Sequence, residues 1–126
     1  MKTTLKRWFD DFTAEYGETP THIVFGKAPP NAGGWNNIEW PEFIDDIAGV
    51  VMTFDTEAVG QMFPLQDILN VEFDGDYGGN ESPNFCAWSE SYVIFSDDYD
   101  GAEGWCAIPR SPRPHTPIRP GGGGQW

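Results

Sequence analysis

The sequence predicts an α+β domain: an antiparallel sheet of about five strands, with an N-terminal amphipathic helix and a second short helix on one face. Three observations carry this. A helical-period stripe opens the chain, short β-branched or aromatic runs separated by turn residues fill its second half, and a Pro/Gly-rich tail closes it. With 126 residues, 39% of them hydrophobic and 15% aromatic, the chain has material for one compact core. The expected division is one acidic domain over residues 1–108 and a tail over 109–126.

Leu5, Trp8, Phe9, Phe12 and Tyr16 recur at helical spacing, with Thr3 or Thr4 placed to cap the helix and Gly17 to end it. Thr21 to Phe25 is β-branched and lies between Pro20 and Gly26, the pattern of a strand. A loop rich in Pro and Gly follows and carries Trp35. Pro41, then Glu42 with Phe43, Ile44 and Ile47, suits a short helix that Gly49 closes. Val50 to Phe54 reads as a buried strand and Ile68 to Phe73 as another. Thr56 to Leu65 has no regular pattern.

From Asn84 the chain reads as a meander: Phe85 to Trp88, Tyr92 to Phe95 and Trp105 to Ile108, separated by Ser/Glu and by Asp/Gly/Tyr turns. Connections this short favour antiparallel neighbours. After Ile108, five prolines and then Gly121 to Gly124 forbid helix or interior strand, so the tail is either extended along the body or flexible. Arg110, Arg113, Arg119 and His115 make it the one basic segment downstream of Lys27, and on charge grounds it suits contact with its own acidic body.

Charge excludes whole classes of function. Twenty acids against seven bases give a net charge of −13, and no Lys or Arg occurs from Ala28 to Glu103. Such a surface repels nucleic acid and anionic membrane, so neither is expected as a direct partner. No run approaches the roughly 20 apolar residues of a membrane helix. The basic opening lacks the apolar stretch of a secretion signal, which points to the cytoplasm. Acidity can simply maintain solubility in an aromatic-rich chain. It can also steer carboxylates into the phosphate-binding groove of a nucleic-acid-binding protein.

Cys86 and Cys106 lack metal or redox spacing and read as small buried hydrophobes, with a disulfide as the alternative. Asp74, Asp76 and Asn80 resemble part of a calcium loop, but the glycine and the distal Glu are misplaced, and turn chemistry explains the composition. No metal or cofactor is expected. Twenty acids make any glycosidase-like pair uninformative. With only His22 and His115, and no nucleophile-elbow or phosphate-loop motif, the chain does not read as an enzyme. The candidate partner-binding residues are the acids of two Gly-containing turns, Asp74 and Asp76 in the first and Asp97, Asp98 and Asp100 in the second. Trp35 and Trp126 join them, because neither has local sequence able to bury it.

The segment from Phe73-Asp74-Gly75-Asp76-Tyr77-Gly78-Gly79 through Phe85-Cys86-Ala87-Trp88 and Tyr92-Val93-Ile94-Phe95 to Tyr99-Asp100-Gly101-Ala102-Glu103 and Pro109-Arg110-Ser111-Pro112 resembles a family of small uncharacterised acidic proteins of actinobacteriophages. The resemblance implies a phage product acting in the host cytoplasm and brings no catalytic residues. Together these readings lead to an expected function: a small acidic binding protein that inhibits or modulates a host protein with a basic surface, including by DNA mimicry. The alternatives are a virion structural or assembly protein, and a small enzyme or Ca²⁺/glycan-binding module.

Overall fold

The helix α1 forms where its periodicity places it. It spans Leu5–Tyr16 in a computed structural model that describes residues 2–27, 40–55, 64–74, 82–99 and 102–117. Of the two possible caps, Thr4 serves: it is extended (φ −139°) and its hydroxyl accepts the Arg7 amide at 3.1 Å. Gly17 ends the helix in the left-handed region at φ 75°, donating its amide to the Thr13 carbonyl at 2.8 Å. Leu5, Trp8, Phe9 and Phe12 form the buried stripe.

The strands are β1 (Lys2–Thr3), β2 (His22–Phe25), β3 (Val51–Thr53), β4 (Phe73–Asp74), β5 (Phe85–Trp88), β6 (Tyr92–Tyr99) and β7 (Ala102–Pro109). Five of them make one antiparallel sheet in the order β3-β2-β5-β6-β7, while β1 and β4 pair as a small ribbon. The α+β architecture, with its N-terminal helix and second short helix, is therefore as expected from the sequence.

Four local expectations need correction. The strand expected to be buried at Val50 to Phe54 is the edge strand β3, at the start of which Val50 and Val51 are exposed. The segment after Pro41 forms a 3-10 turn at Glu42–Asp45 instead of an α-helix. The second helix, α2, lies at Leu65–Leu69, partly within the expected strand Ile68 to Phe73, which contracts to the two-residue β4. Leu65, Ile68 and Leu69 are all buried, so a helical stripe with spacing i, i+3, i+4 prevails over the β-branched look of the segment. The β6–β7 hairpin also runs past Phe95 to Tyr99 and resumes at Ala102, so Asp97 and Asp98 lie in a strand and not in a turn.

Side chains alternate across the sheet, and one row tells which face is the core. Met52, Ile23, Ala87, Ile94 and Ala107 face one another across all five strands, and all are buried. The buried side chains of α1 and α2 belong to the same cluster. Ring contacts fasten α1 to the sheet: Phe9 meets Phe85 at 5.2 Å edge-to-face, and Phe12 meets Trp105 at 5.9 Å. Trp8 reaches the ribbon through Phe73 at 5.2 Å. Both helices thus contribute to the core on one face. No described helix is long and apolar enough to cross a membrane.

Candidate docking face

The opposite parity of the same strands builds a second surface. Thr53, His22, Trp88, Val93 and Ile108 form one row across five strands, and Val51, Val24, Cys86, Phe95 and Cys106 form the next. Four interstrand spacings make each row about 19 Å wide. None of the described ring contacts of α1 reaches Trp88 or Phe95. Val51 is 62% exposed and Ile108 40%, with Val50 also exposed beside Val51. Val24, Cys86, Trp88, Val93 and Phe95 are half-buried, while Cys106 is buried. A sheet face with exposed aliphatics at both edges and a tryptophan between them has the character of a binding surface.

The surroundings are acidic. Glu90, at the β5–β6 turn, and Asp55, just after β3, are exposed, as are Asp11, Glu15, Glu42, Asp45, Asp46, Asp67 and Glu72 elsewhere. Exposed Lys27 after β2 and Arg110 after β7 stand among these acids, so the charge around the aliphatic side chains is mixed but acidic in excess, which favours a cationic partner over an anionic one.

The sequence-predicted site residues divide. Asp97 and Asp98 are consecutive in β6 and point to opposite faces. Asp97, which faces Gly104, is buried and accepts the Asp98 amide at 2.9 Å, whereas Asp98 is exposed opposite Glu103. They do not form one acidic patch. Asp74 ends β4, in register with Lys2, and its side chain lies outside the described residues. Trp35, Asp76, Asp100 and Trp126 also lie outside them. Trp88, Val51 and Ile108 went unremarked as site residues because strand apolarity reads as core until the register assigns each position to a face.

Cys86 and Cys106 flank Phe95 from either side, so two interstrand spacings, about 9.6 Å, separate their backbones. A disulfide needs less than about 7 Å, and both cysteines are thiols. Burial raises the Cys86 thiol above its ordinary pKa, which leaves it protonated and unreactive near neutrality.

A second cluster fixes the lower end of the sheet. The Glu18 carboxylate accepts the Ser89 hydroxyl at 2.6 Å and the Ser91 amide at 2.9 Å, and the Ser89 oxygen in turn accepts the Tyr92 amide at 3.2 Å. The hydrogen bond from Ser89, then those from Ser91, hold Glu18 below the usual glutamate range. The tail joins here: Arg110 donates to the Ser89 carbonyl at 2.8 Å, and Arg113 lies 4.7 Å over the Tyr92 ring while donating to its hydroxyl. This start of the tail is anchored through a carbonyl and an aromatic ring.

Among the described residues, no group of three or more His, Cys, Asp or Glu side chains is placed to hold a metal ion. Asp76 and Asn80, of the calcium-like spacing, are not described. Exposed His22 contacts the Thr21 hydroxyl through Nδ1 at 2.9 Å, and that hydroxyl donates to the Trp88 carbonyl at 3.2 Å. Compared with protein-family models, with curated proteins and with solved structures, the chain gives no match.

Proposed function

We propose that this chain is a small acidic binding protein that docks on a host protein through the outer face of its sheet and so inhibits or modulates that protein. The observation that supports it most is the row Thr53, His22, Trp88, Val93, Ile108 beside exposed Val51, a largely apolar surface on a chain with a strong acidic excess. The partner it fits carries an apolar centre rimmed by Lys or Arg. Charge brings the two together and apolar burial holds them, the usual division of labour at such contacts.

The resemblance of the Phe73 to Pro112 segment supports a phage origin and action in the host cytoplasm. Exposed carboxylates spread over the helices and loops support the narrower idea that the protein mimics DNA. The test is an affinity capture from actinobacterial lysate with the wild-type chain and a Val51→Asp/Ile108→Asp variant in parallel, followed by titration of the purified captured protein over a salt series. The expected result is one captured protein whose affinity falls at least about tenfold in the variant, the equivalent of about 1.4 kcal/mol. Steep salt dependence together with displacement by duplex DNA supports mimicry. A partner bound equally well by the variant would place docking elsewhere on the surface.

A further inference from the structure

On the helix side, a cleft of about 440 Å³ opens between α1, α2, the start of β2 and the end of β3. That size lies within the range of small-molecule sites. Its floor is apolar: Phe9 and Phe54 meet edge-to-face at 5.3 Å, with buried Leu69 beside them. Polar groups surround that floor. Lys6, Asp10 and Thr13 come from the same stripe of α1 as Phe9, Thr21 comes from the entry to β2, and Gln66 comes from α2.

The chemistry of this lining selects a ligand class. Lys6 and Asp10 neutralise each other at 2.8 Å, and exposed Asp55 leaves the lining with a single net negative charge, which opposes an anion. The Thr13 hydroxyl and the Gln66 amide can each donate and accept, while the Thr21 hydroxyl, its proton given to the Trp88 carbonyl, can only accept. Among the described residues no three acids are grouped to hold a bare cation. The net charge of −13 further opposes any anion. A mixed donor and acceptor rim above an aromatic floor matches an uncharged ring that bears hydroxyls on its edge and C–H groups on its face.

We propose that this cleft binds a neutral hydroxylated ring, either a pyranose or the ribose end of a nucleoside. The site is separate from the docking face and does not depend on it. Ring hydroxyls would exchange hydrogen bonds with Thr13 and Gln66 and donate to the Thr21 oxygen while the ring face lies on Phe54.

The test is a titration of the ¹⁵N-labelled full chain, followed by amide shifts, with methyl α-glucoside, methyl β-galactoside, N-acetylglucosamine and adenosine as separate probes. At least one is expected to give saturable millimolar shifts centred on Thr13, Thr21 and the Gln66 side-chain amide. Gln66→Ala, an exposed change that spares the core, should weaken that binding about fivefold or more while leaving the remaining spectrum in place. Binding of a glucoside or galactoside identifies a sugar site, and binding of adenosine alone a nucleoside site. In the latter case adenosine 5′-monophosphate should bind more weakly than adenosine because of its charge. Absence of cleft shifts with all four probes, or shifts that Gln66→Ala leaves unchanged, would overturn the proposal.

Discussion

The Glu18 carboxylate and the Ser89 hydroxyl, 71 positions apart in sequence, meet at 2.6 Å and join the segment leaving α1 to the β5–β6 turn. Ser89 is fully buried, and its oxygen also receives the Tyr92 amide. Ser89→Ala should therefore cost about 1–3 kcal/mol, because it removes the hydroxyl that donates to Glu18 and leaves the part-buried Tyr92 amide without its acceptor. Chemical denaturation of the two proteins checks this.

Because folding lowers the pKa of Glu18, the folded state binds this proton less readily than the unfolded chain. The stabilisation from Glu18 is therefore present above its unfolded pKa and is lost as pH falls through the lower folded value. Glu18→Gln should melt below wild type at neutral pH, and the gap should close in acid. Melting curves from neutral to pH 3 measure it; a gap that widened in acid would contradict the hydrogen-bond assignment.

The two cysteines should both remain thiols after purification without reductant. Their backbones stand two strands apart and cannot be bridged without opening the sheet. Intact mass should show two free thiols, and alkylation of native protein near pH 7 should be slow at buried Cys106 and at Cys86, whose thiol pKa is raised. Both should react promptly in denaturant.

The two sheet faces should differ sharply under mutation. Phe12→Ala, in the centre of the core with rings of Tyr16, Tyr92 and Trp105 around it, should cost about 3–5 kcal/mol. Val51→Thr on the outer face should stay within about 0.5 kcal/mol, since that side chain is mostly in water. Comparable losses at both positions would mean that the outer face is covered in the free protein.

Arg113→Ala should release the tail without unfolding the domain. Removing the guanidinium from the Tyr92 ring should cost about 0.5–1 kcal/mol. Backbone ¹⁵N relaxation should then show faster motion over residues 111–117 and unchanged values in β6.

Much of the fold was legible because α1 carries one unambiguous helical period and the strands of the meander are short apolar runs bounded by turn residues. Thr4, Gly17 and the stripe from Leu5 to Phe12 all agree on a helix. The misread stretch, Leu65 to Phe73, is short enough for both periods to fit, and burial of Leu65, Ile68 and Leu69 against the core decides between them. Pro41 is compatible with an α-helix or a 3-10 turn, and the local sequence does not distinguish the two. The site was harder. Phe85-Cys86-Ala87-Trp88 is apolar at every position, so nothing in the string shows that Phe85 faces the helices and Trp88 faces away. Likewise, the cleft joins Lys6, Thr21, Phe54 and Gln66, which the sequence holds far apart.

The strand order has a consequence for synthesis. β2 pairs with β5 across sixty residues or more, as in His22 with Trp88, whereas the β5–β6 and β6–β7 pairings join strands consecutive in the chain. The meander can therefore assemble from local contacts, while β2 must await it and accept the entropy of closing a long loop. α1 leaves the ribosome well before the rings it packs on, Phe85, Tyr92 and Trp105. Its apolar stripe must stay uncovered until most of the chain has emerged, and during that interval the strong negative charge of the nascent protein is a defence against aggregation.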